Sequence, residues 1–278
     1  MRLGGAISGW TSPEEWVEAM RGEAYSAAFC PVGLDADEDT VRAYALAARE
    51  ADIIIAEVGA WGHNPLSPDP EVARAGLEGC CRALELADSI GAVCAVNVAG
   101  SRGEKWDGPH PDDLTEDTLA LIVDTVRTII DTVKPLRACY ALETMPWMYP
   151  NSPASYQGLV KAIDRRRFAV HLDPVNLVCS PQCYYDTRGL LAECFRLLGP
   201  HIVGCHAKDI LLQPKLMVHL DEARPGLGNL DYRAYVRGLG GLHPDVPLMI
   251  EHLSRIEDYR IAAAYIRNIA QIEGVPLK

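Results

Sequence analysis

Phe168-Ala-Val-His-Leu-Asp-Pro-Val-Asn176 is an apolar, strand-like run that ends in an acid, and a proline follows at once. Proline has no N–H to give to a sheet ladder, so the strand must stop near Asp173. A carboxylate is thereby placed at the C-terminal tip of a buried strand. Three other runs end in the same way. Cys139-Tyr-Ala-Leu-Glu143 stops in an acid before Thr144-Met145-Pro146, and Ile202-Val-Gly-Cys-His206 stops in an imidazole before Ala207-Lys208-Asp209. Val246-Pro-Leu-Met-Ile-Glu251 stops in an acid before His252.

Outward from these four runs, strands and helices alternate along the whole chain. Ser12 caps a helix with Pro13 at its first position and two acids in the first turn. Residues 25–32 read as a strand, and Asp39 or Thr40 opens a helix through residue 51. The β-branched run at residues 52–59 reads as a strand, residues 70–90 as a helix stopped by Gly91, and residues 92–98 as a strand. The clearest helix is 115–134, where Leu119, Ile122, Val123, Val126, Ile129, Ile130 and Val133 share one face. Helices at 154–165, 188–198, 230–239 and 257–273 separate the later strands, and residues 211–229 read as a long loop.

This is eight strand–helix units without a linker between halves. Alternating units imply a parallel sheet buried on both faces, and eight of them in this length match an α/β protein with a single (β/α)8 TIM barrel over residues 1–278. A doubly wound open sheet would carry a Gly-x-Gly-x-x-Gly turn after an early strand, and the sequence has none. In a barrel the C-terminal strand ends share one face. Glu143, Asp173, His206 and Glu251, spaced 30, 33 and 45 residues apart (173−143, 206−173, 251−206), then fall on one rim.

Composition excludes several functions. The formal net charge of −12 argues against nucleic acid as a non-specific partner. No uninterrupted apolar run approaches the roughly 20 residues of a membrane span, and residues 1–10 are too short an apolar run for a signal peptide. The nine cysteines, several inside apolar runs, read as reduced thiols of a cytoplasmic protein rather than a disulfide frame.

Three carboxylates and an imidazole in one small mouth repel one another unless a cation joins them. Three oxygen donors and one nitrogen suit Mn2+, Co2+, Mg2+ or Zn2+, with positions left open for substrate oxygens. Around this set, Glu57 and Asn97 end two earlier strands and are placed to bind hydroxyls. His171 shares the face of Asp173, either supporting the ligands or serving as a hydrogen-bonded barrel histidine. Lys208 faces the mouth, where it would neutralise an enolate or phosphate or else pair with Asp209 or Glu251. Arg224 stands in the loop for an anionic or hydroxyl contact. Trp61, His63, Trp106 and Trp147 sit in rim loops, where aromatic rings suit the apolar face of a sugar.

Leu142-Glu143, Leu172-Asp173-Pro-Val-Asn176, His206-Ala-Lys208-Asp209, Pro225-Gly-Leu-Gly228-x-x-Asp231 and Ile250-Glu251-His252 together resemble the sugar phosphate isomerase/epimerase family of xylose isomerase-like TIM barrels. The resemblance covers nearly the whole chain. It implies that Glu143, Asp173, His206 and Glu251 bind a divalent metal, manganese first, and that Glu143 and Glu251 flank the substrate. It also implies a homo-oligomer, a dimer or tetramer. Relatives that repair DNA carry a strand-end histidine where this chain has Asn97. Ketose 3-epimerases carry a histidine at the place of Asn176 and an acid at the place of Tyr149. Asn176 and His206-x-Lys208-Asp209 look more like the inosose dehydratase side of the family.

The expectation is a metal-dependent isomerase or epimerase of a small-molecule carbohydrate, a keto-sugar or related polyol, passing through an enediolate. Glu143 and Glu251 are the acid/base pair, and Glu57, His63, Asn97, His171, Asn176, Lys208 and Arg224 are the substrate contacts. Ranked second is a lyase or dehydratase that eliminates water or a glycosidic substituent from a keto-sugar, keto-glycoside or inosose. A non-catalytic sugar-binding barrel and a nucleic-acid repair enzyme rank below both.

Overall fold

The computed structural model describes residues 1–278. Ten strands and nine α-helices alternate along it. The strands are β1 (Arg2–Gly4), β2 (Ala27–Phe29), β3 (Ile54–Gly59), β4 (Cys94–Asn97), β5 (Cys139–Glu143), β6 (Phe168–Leu172), β7 (Ile202–Ala207), β8 (Asp209–Leu212), β9 (Leu220–Ala223) and β10 (Pro247–Ile250). The helices are α1 (Pro13–Gly22), α2 (Glu38–Glu50), α3 (Pro70–Ile90), α4 (Glu116–Val133), α5 (Pro153–Ile163), α6 (Pro181–Tyr185), α7 (Thr187–Leu198), α8 (Tyr232–Gly240) and α9 (Ile256–Glu273).

Eight of the strands close into a parallel barrel in the order β1-β10-β7-β6-β5-β4-β3-β2. This is the (β/α)8 barrel that the alternation implied. Its local causes are visible at the helix starts. Ser12, Asp37, Asp69, Thr115, Ser152, Asp186 and Asp231 each accept a backbone N–H of the first helical turn. Pro13, Pro70 and Pro153 follow three of these caps at the position where the missing N–H costs nothing. Gly91 ends α3 in the left-handed conformation at φ 82°, as expected.

The apolar faces of the helices pack on the outside of the barrel in one cluster of 61 buried residues. Inside the barrel the filling is small: Ala27, Ala56 and Met249 form one group and Cys94, Val96 and Ala141 another. Two register shifts interrupt the ladders, one where Phe29 pairs with Glu57 and one between Val170 and His171. Such shifts re-aim side chains, and both lie beside the polar cluster described below. Gly204 opposes His171 across the second shift, and a Cβ there would lie 3.0 Å from the imidazole.

The structure corrects some local expectations. Helix α2 starts earlier than expected, at Glu38, because Asp37 rather than Asp39 or Thr40 takes the capping hydrogen bonds. The loop expected over 211–229 contains an antiparallel hairpin, β8 with β9. Asp209 organises its base: Oδ1 accepts the N–H groups of Ile210 and Leu230, and Oδ2 accepts that of Gly226. The short helix α6 was also not anticipated. No helix is long and apolar enough to cross a membrane.

Candidate metal centre and cavity

Glu143 is the last residue of β5, Asp173 follows β6, His206 lies near the end of β7 and Glu251 follows β10. One donor atom from each of the four lies within 4.8 Å of the others. Three of the residues are buried, and the Glu251 side chain is only 11 % exposed.

The strand ends are tied by neutral hydrogen bonds. Thr144 Oγ1 donates to the carbonyl of Asp173 at 2.6 Å and accepts its N–H at 3.1 Å, linking the tips of β5 and β6. Tyr235 Oη donates to the carbonyl of His206, and Tyr232 Oη to that of Lys208, each at 2.8 Å. Tyr156 from α5 donates to the carbonyl of Ala169 at 3.0 Å and accepts the N–H of His171 at 3.2 Å. Helix tyrosines thus hold the strands at the depth where their polar tips meet.

Within the cluster, His206 Nδ1 stands 3.1 Å from Glu143 Oε1 and 2.8 Å from Glu251 Oε1. Its other nitrogen, Nε2, faces Glu57 Oε1 at 3.3 Å, and Glu57 Oε2 lies 2.7 Å from His171 Nε2. A metal-binding histidine ordinarily gives its second N–H to a carboxylate in this way, which fixes the tautomer and the ring. Asp173 Oδ1 accepts the N–H of Val175 at 2.9 Å, whereas Oδ2 has no well-directed donor. Glu251 Oε1 is in the same condition. Three carboxylates and an imidazole that converge this closely at so buried a place make a donor set that fits a divalent ion.

One cation is already near. Lys208 Nζ lies 2.8 Å from Asp173 Oδ2, 2.6 Å from Glu251 Oε1, 3.8 Å from Glu143 and 3.7 Å from Glu222. Burial opposes its charge, but Asp173, Glu143 and Glu251 hold its ammonium well above the usual lysine range. The acids respond differently. Burial would raise Glu57, but His206 and His171 bring it down to about 2. Burial dominates at Glu143 and raises it despite His206. At Glu251 burial is overcome by His206 and then Lys208, and the carboxyl is held below its usual range.

Above the cluster opens a cavity of about 820 Å3. Glu143, Asn176, Lys208, Glu222, Glu251 and His252 are the polar groups that line it nearest the cluster, and Lys105 and Asp107 are charged groups of its lining away from them. Asn176 Nδ2 donates to Glu143 Oε1 at 3.2 Å and to the carbonyl of Thr144 at 3.0 Å. Asn176 and Lys208 therefore stand where substrate contacts were expected.

Five expected substrate contacts lie elsewhere. Glu57 and His171 are buried outside the cavity lining: Glu57 spends its two oxygens on His206 and His171, and His171 spends its Nε2 on Glu57. Asn97 is fully buried and donates to the carbonyl of His63 at 3.0 Å. The His63 ring packs on α3, where a Cβ on Gly79 would lie 2.3 Å from it. Arg224 turns away from the cavity toward Pro225 and Asp258.

Glu222 and His252 line the cavity and were not expected there. Glu222 arrives on the hairpin, and His252 Nδ1 lies 3.0 Å from its Oε2. Leu220-Asp-Glu-Ala223 does not alternate, so the sequence held no period-2 signal for the strand that carries Glu222. His252 takes a positive φ of 57°, a conformation uncommon outside glycine though better tolerated by histidine than by most residues.

The family described as xylose isomerase-like TIM barrel matches residues 16–269. No curated protein matches the chain at a significant level. Among solved structures, endonuclease IV from Thermus thermophilus superposes with a TM-score of 0.75 at 14% identity, covering 98% of this chain and 100% of that one. D-Psicose 3-epimerase with D-tagatose from Clostridium cellulolyticum gives 0.71 at 12% identity, over 97% and 99% of the two chains. A xylose isomerase-like TIM barrel protein from Mycobacterium smegmatis in complex with magnesium gives 0.67 at 15% identity, over 95% and 89%. At these identities the superpositions speak to the fold.

Proposed function

Because the chain belongs to the xylose isomerase-like TIM barrel family, we propose that it is a divalent-metal-dependent enzyme that moves a proton at the carbon beside the carbonyl of a keto-sugar. The observation that carries this reading is the pair Glu143 and Glu251, both facing one cavity and both within 3.1 Å of the same His206 nitrogen. Glu143, Asp173, His206 and Glu251 would hold the metal. When bound, it would supply Lewis-acid stabilisation of negative charge developing on the carbonyl oxygen.

The protein groups do the rest. One glutamate takes the proton from the carbon next to the carbonyl. The other returns a proton either to that carbon from the opposite face, giving the epimer, or to the former carbonyl carbon, whose neighbour then becomes the carbonyl, giving the isomer. Asn176 Nδ2, fixed by Thr144 and Glu143, orients Glu143. Lys208 adds a positive charge beside Asp173 and Glu251 and lowers the cost of charge at this depth. The D-psicose 3-epimerase neighbour and the magnesium-bound neighbour support the sugar and metal parts of this reading. The nine unpaired cysteines support a reducing, cytoplasmic location.

The test is solvent deuterium exchange into a panel of keto-sugars, run with manganese, with magnesium and after complete metal removal. Exchange that survives metal removal rejects the reading.

A second outcome of the same chemistry is elimination, in which the second acid protonates a departing hydroxyl or alkoxide. The room in the cavity favours it, because about 820 Å3 admits a leaving substituent beside the sugar. Product analysis of the same panel separates the two. An endonuclease activity like that of the Thermus thermophilus neighbour is disfavoured by the net charge of −12, and nicking of abasic DNA checks it.

A further inference from the structure

The cavity has two chemically different sides. Lys208, Glu222, Glu251 and His252 follow β7 to β10, on one side of the barrel order. Trp61, Trp106 and Trp147 follow β3, β4 and β5, on the other. The Trp61 and Trp106 rings lie 6.4 Å apart at 47°, and Trp106 rests on Val98, Met145 and Met148. The indole N–H of Trp147 is spent on the carbonyl of Asp107 at 2.9 Å, which leaves its ring to face the cavity as apolar surface. Trp61 is 41% exposed, yet its place is built in: a Cβ on Gly59 would lie 2.1 Å from its Nε1.

This wall offers few polar partners. Its charged members, Lys105 and Asp107, pair with each other at 3.0 Å. A second sugar ring would bring hydroxyls that need partners of their own. The cavity also has the size of sites that take drug-sized ligands, well beyond a single monosaccharide. We infer that the tryptophan side is a subsite for a planar apolar substituent, so that the ligand is a sugar carrying an aryl group, with the sugar toward Lys208 and Glu251 and the ring between Trp61, Trp106 and Trp147. This deepens the keto-sugar reading and rests on it for the placement of the sugar.

The test is calorimetric binding of phenyl β-D-glucopyranoside, methyl β-D-glucopyranoside and cellobiose to the manganese-loaded full chain. Stacking of one buried ring predicts that the phenyl compound binds about tenfold more tightly than the methyl one. Trp61→Ala and Trp147→Ala should each remove most of that preference, and Trp61→Phe, which keeps a ring, should retain part of it. Equal binding of the phenyl and methyl compounds overturns the inference, as does no binding of the phenyl compound. Cellobiose bound as tightly as the phenyl compound also overturns it, because the wall then takes a second sugar. The proton-transfer reading fails by a different result: no keto-sugar exchanges deuterium while the phenyl preference stands.

Discussion

The two sides of the cavity are built by opposite means. The acidic floor sits on strand ends, almost wholly buried, with the backbone at Asp173, His206 and His171 held by hydrogen bonds with Thr144 and with helix tyrosines. The tryptophan wall sits on loops, with Trp61 and Trp147 about two-fifths exposed and held by packing and by a single indole hydrogen bond. Strand ends deliver position, because the ladder allows little movement. Loops deliver adaptable area, which suits a surface that binds but does not react.

If the floor depends on position, removing one donor should have the largest effect. Asp173→Asn and His206→Ala are expected to weaken metal binding by at least about 10–100-fold, the range seen even for residues that merely support ligands, and to abolish activity with it. Elemental analysis of protein purified without chelator checks this. Full metal retention in both variants would remove these residues from the ligand set.

Glu143→Gln and Glu251→Gln sharpen the same point. Glutamine keeps a ligating oxygen but accepts no proton at neutral pH. Each variant should keep much of its metal and lose about 10²-fold or more in turnover. The variant lacking the base should also lose deuterium exchange, while the other still exchanges but releases little product. Near wild-type exchange in both would end the two-glutamate mechanism.

Lys208→Met tests whether the floor is held by charge. Removing one member of a buried ion pair typically costs about 3–5 kcal/mol, and Lys208 is only 2% exposed among acids. Metal-free protein should therefore lose stability in denaturant titration, and manganese should restore most of it by meeting the same oxygens. Turnover should remain low after that restoration, since the ammonium also serves the reaction. Normal turnover in a destabilised variant would make Lys208 a structural partner alone.

A smaller effect is expected at the hairpin base. A Cβ on Gly228 would lie 2.3 Å from both Asp209 Oδ1 and the carbonyl of Ile210. Gly228→Ala should cost about 1–3 kcal/mol of overpacking and displace Glu222 from the cavity. The smallest stability change belongs to the wall. Trp61→Ala should stay within about 0.5 kcal/mol of the parent while losing ring binding. A large drop in its melting temperature would mean that the wall is part of the core, and the contrast between the two sides would fail.

The barrel and the four floor residues were legible in the sequence for one physical reason. A parallel strand buried on both faces is an apolar run, so an acid or imidazole at its end, followed by a proline or another polar residue, stands out. Repetition at roughly one strand–helix unit then assigns those ends to a common face. The caps at Ser12 and Thr115 and the stop at Gly91 were legible because their hydrogen bonds are local.

What the sequence could not carry is depth and direction. Glu57, Asn97 and His171 occupy strand positions as promising as Glu143, but they end beneath or beside the floor, bonded to His206, to the His63 carbonyl or to one another. Their depth depends on how neighbouring strands are staggered, and on two register shifts that no single strand announces. Glu222 reaches the cavity because an antiparallel hairpin folds back across the mouth, anchored by hydrogen bonds between Asp209 and residues 17 and 21 positions further on. By itself the sequence determined which residues end each strand, since that is a property of short stretches. Only the closed barrel decided which of those ends meet, because meeting depends on contacts between stretches far apart in the chain.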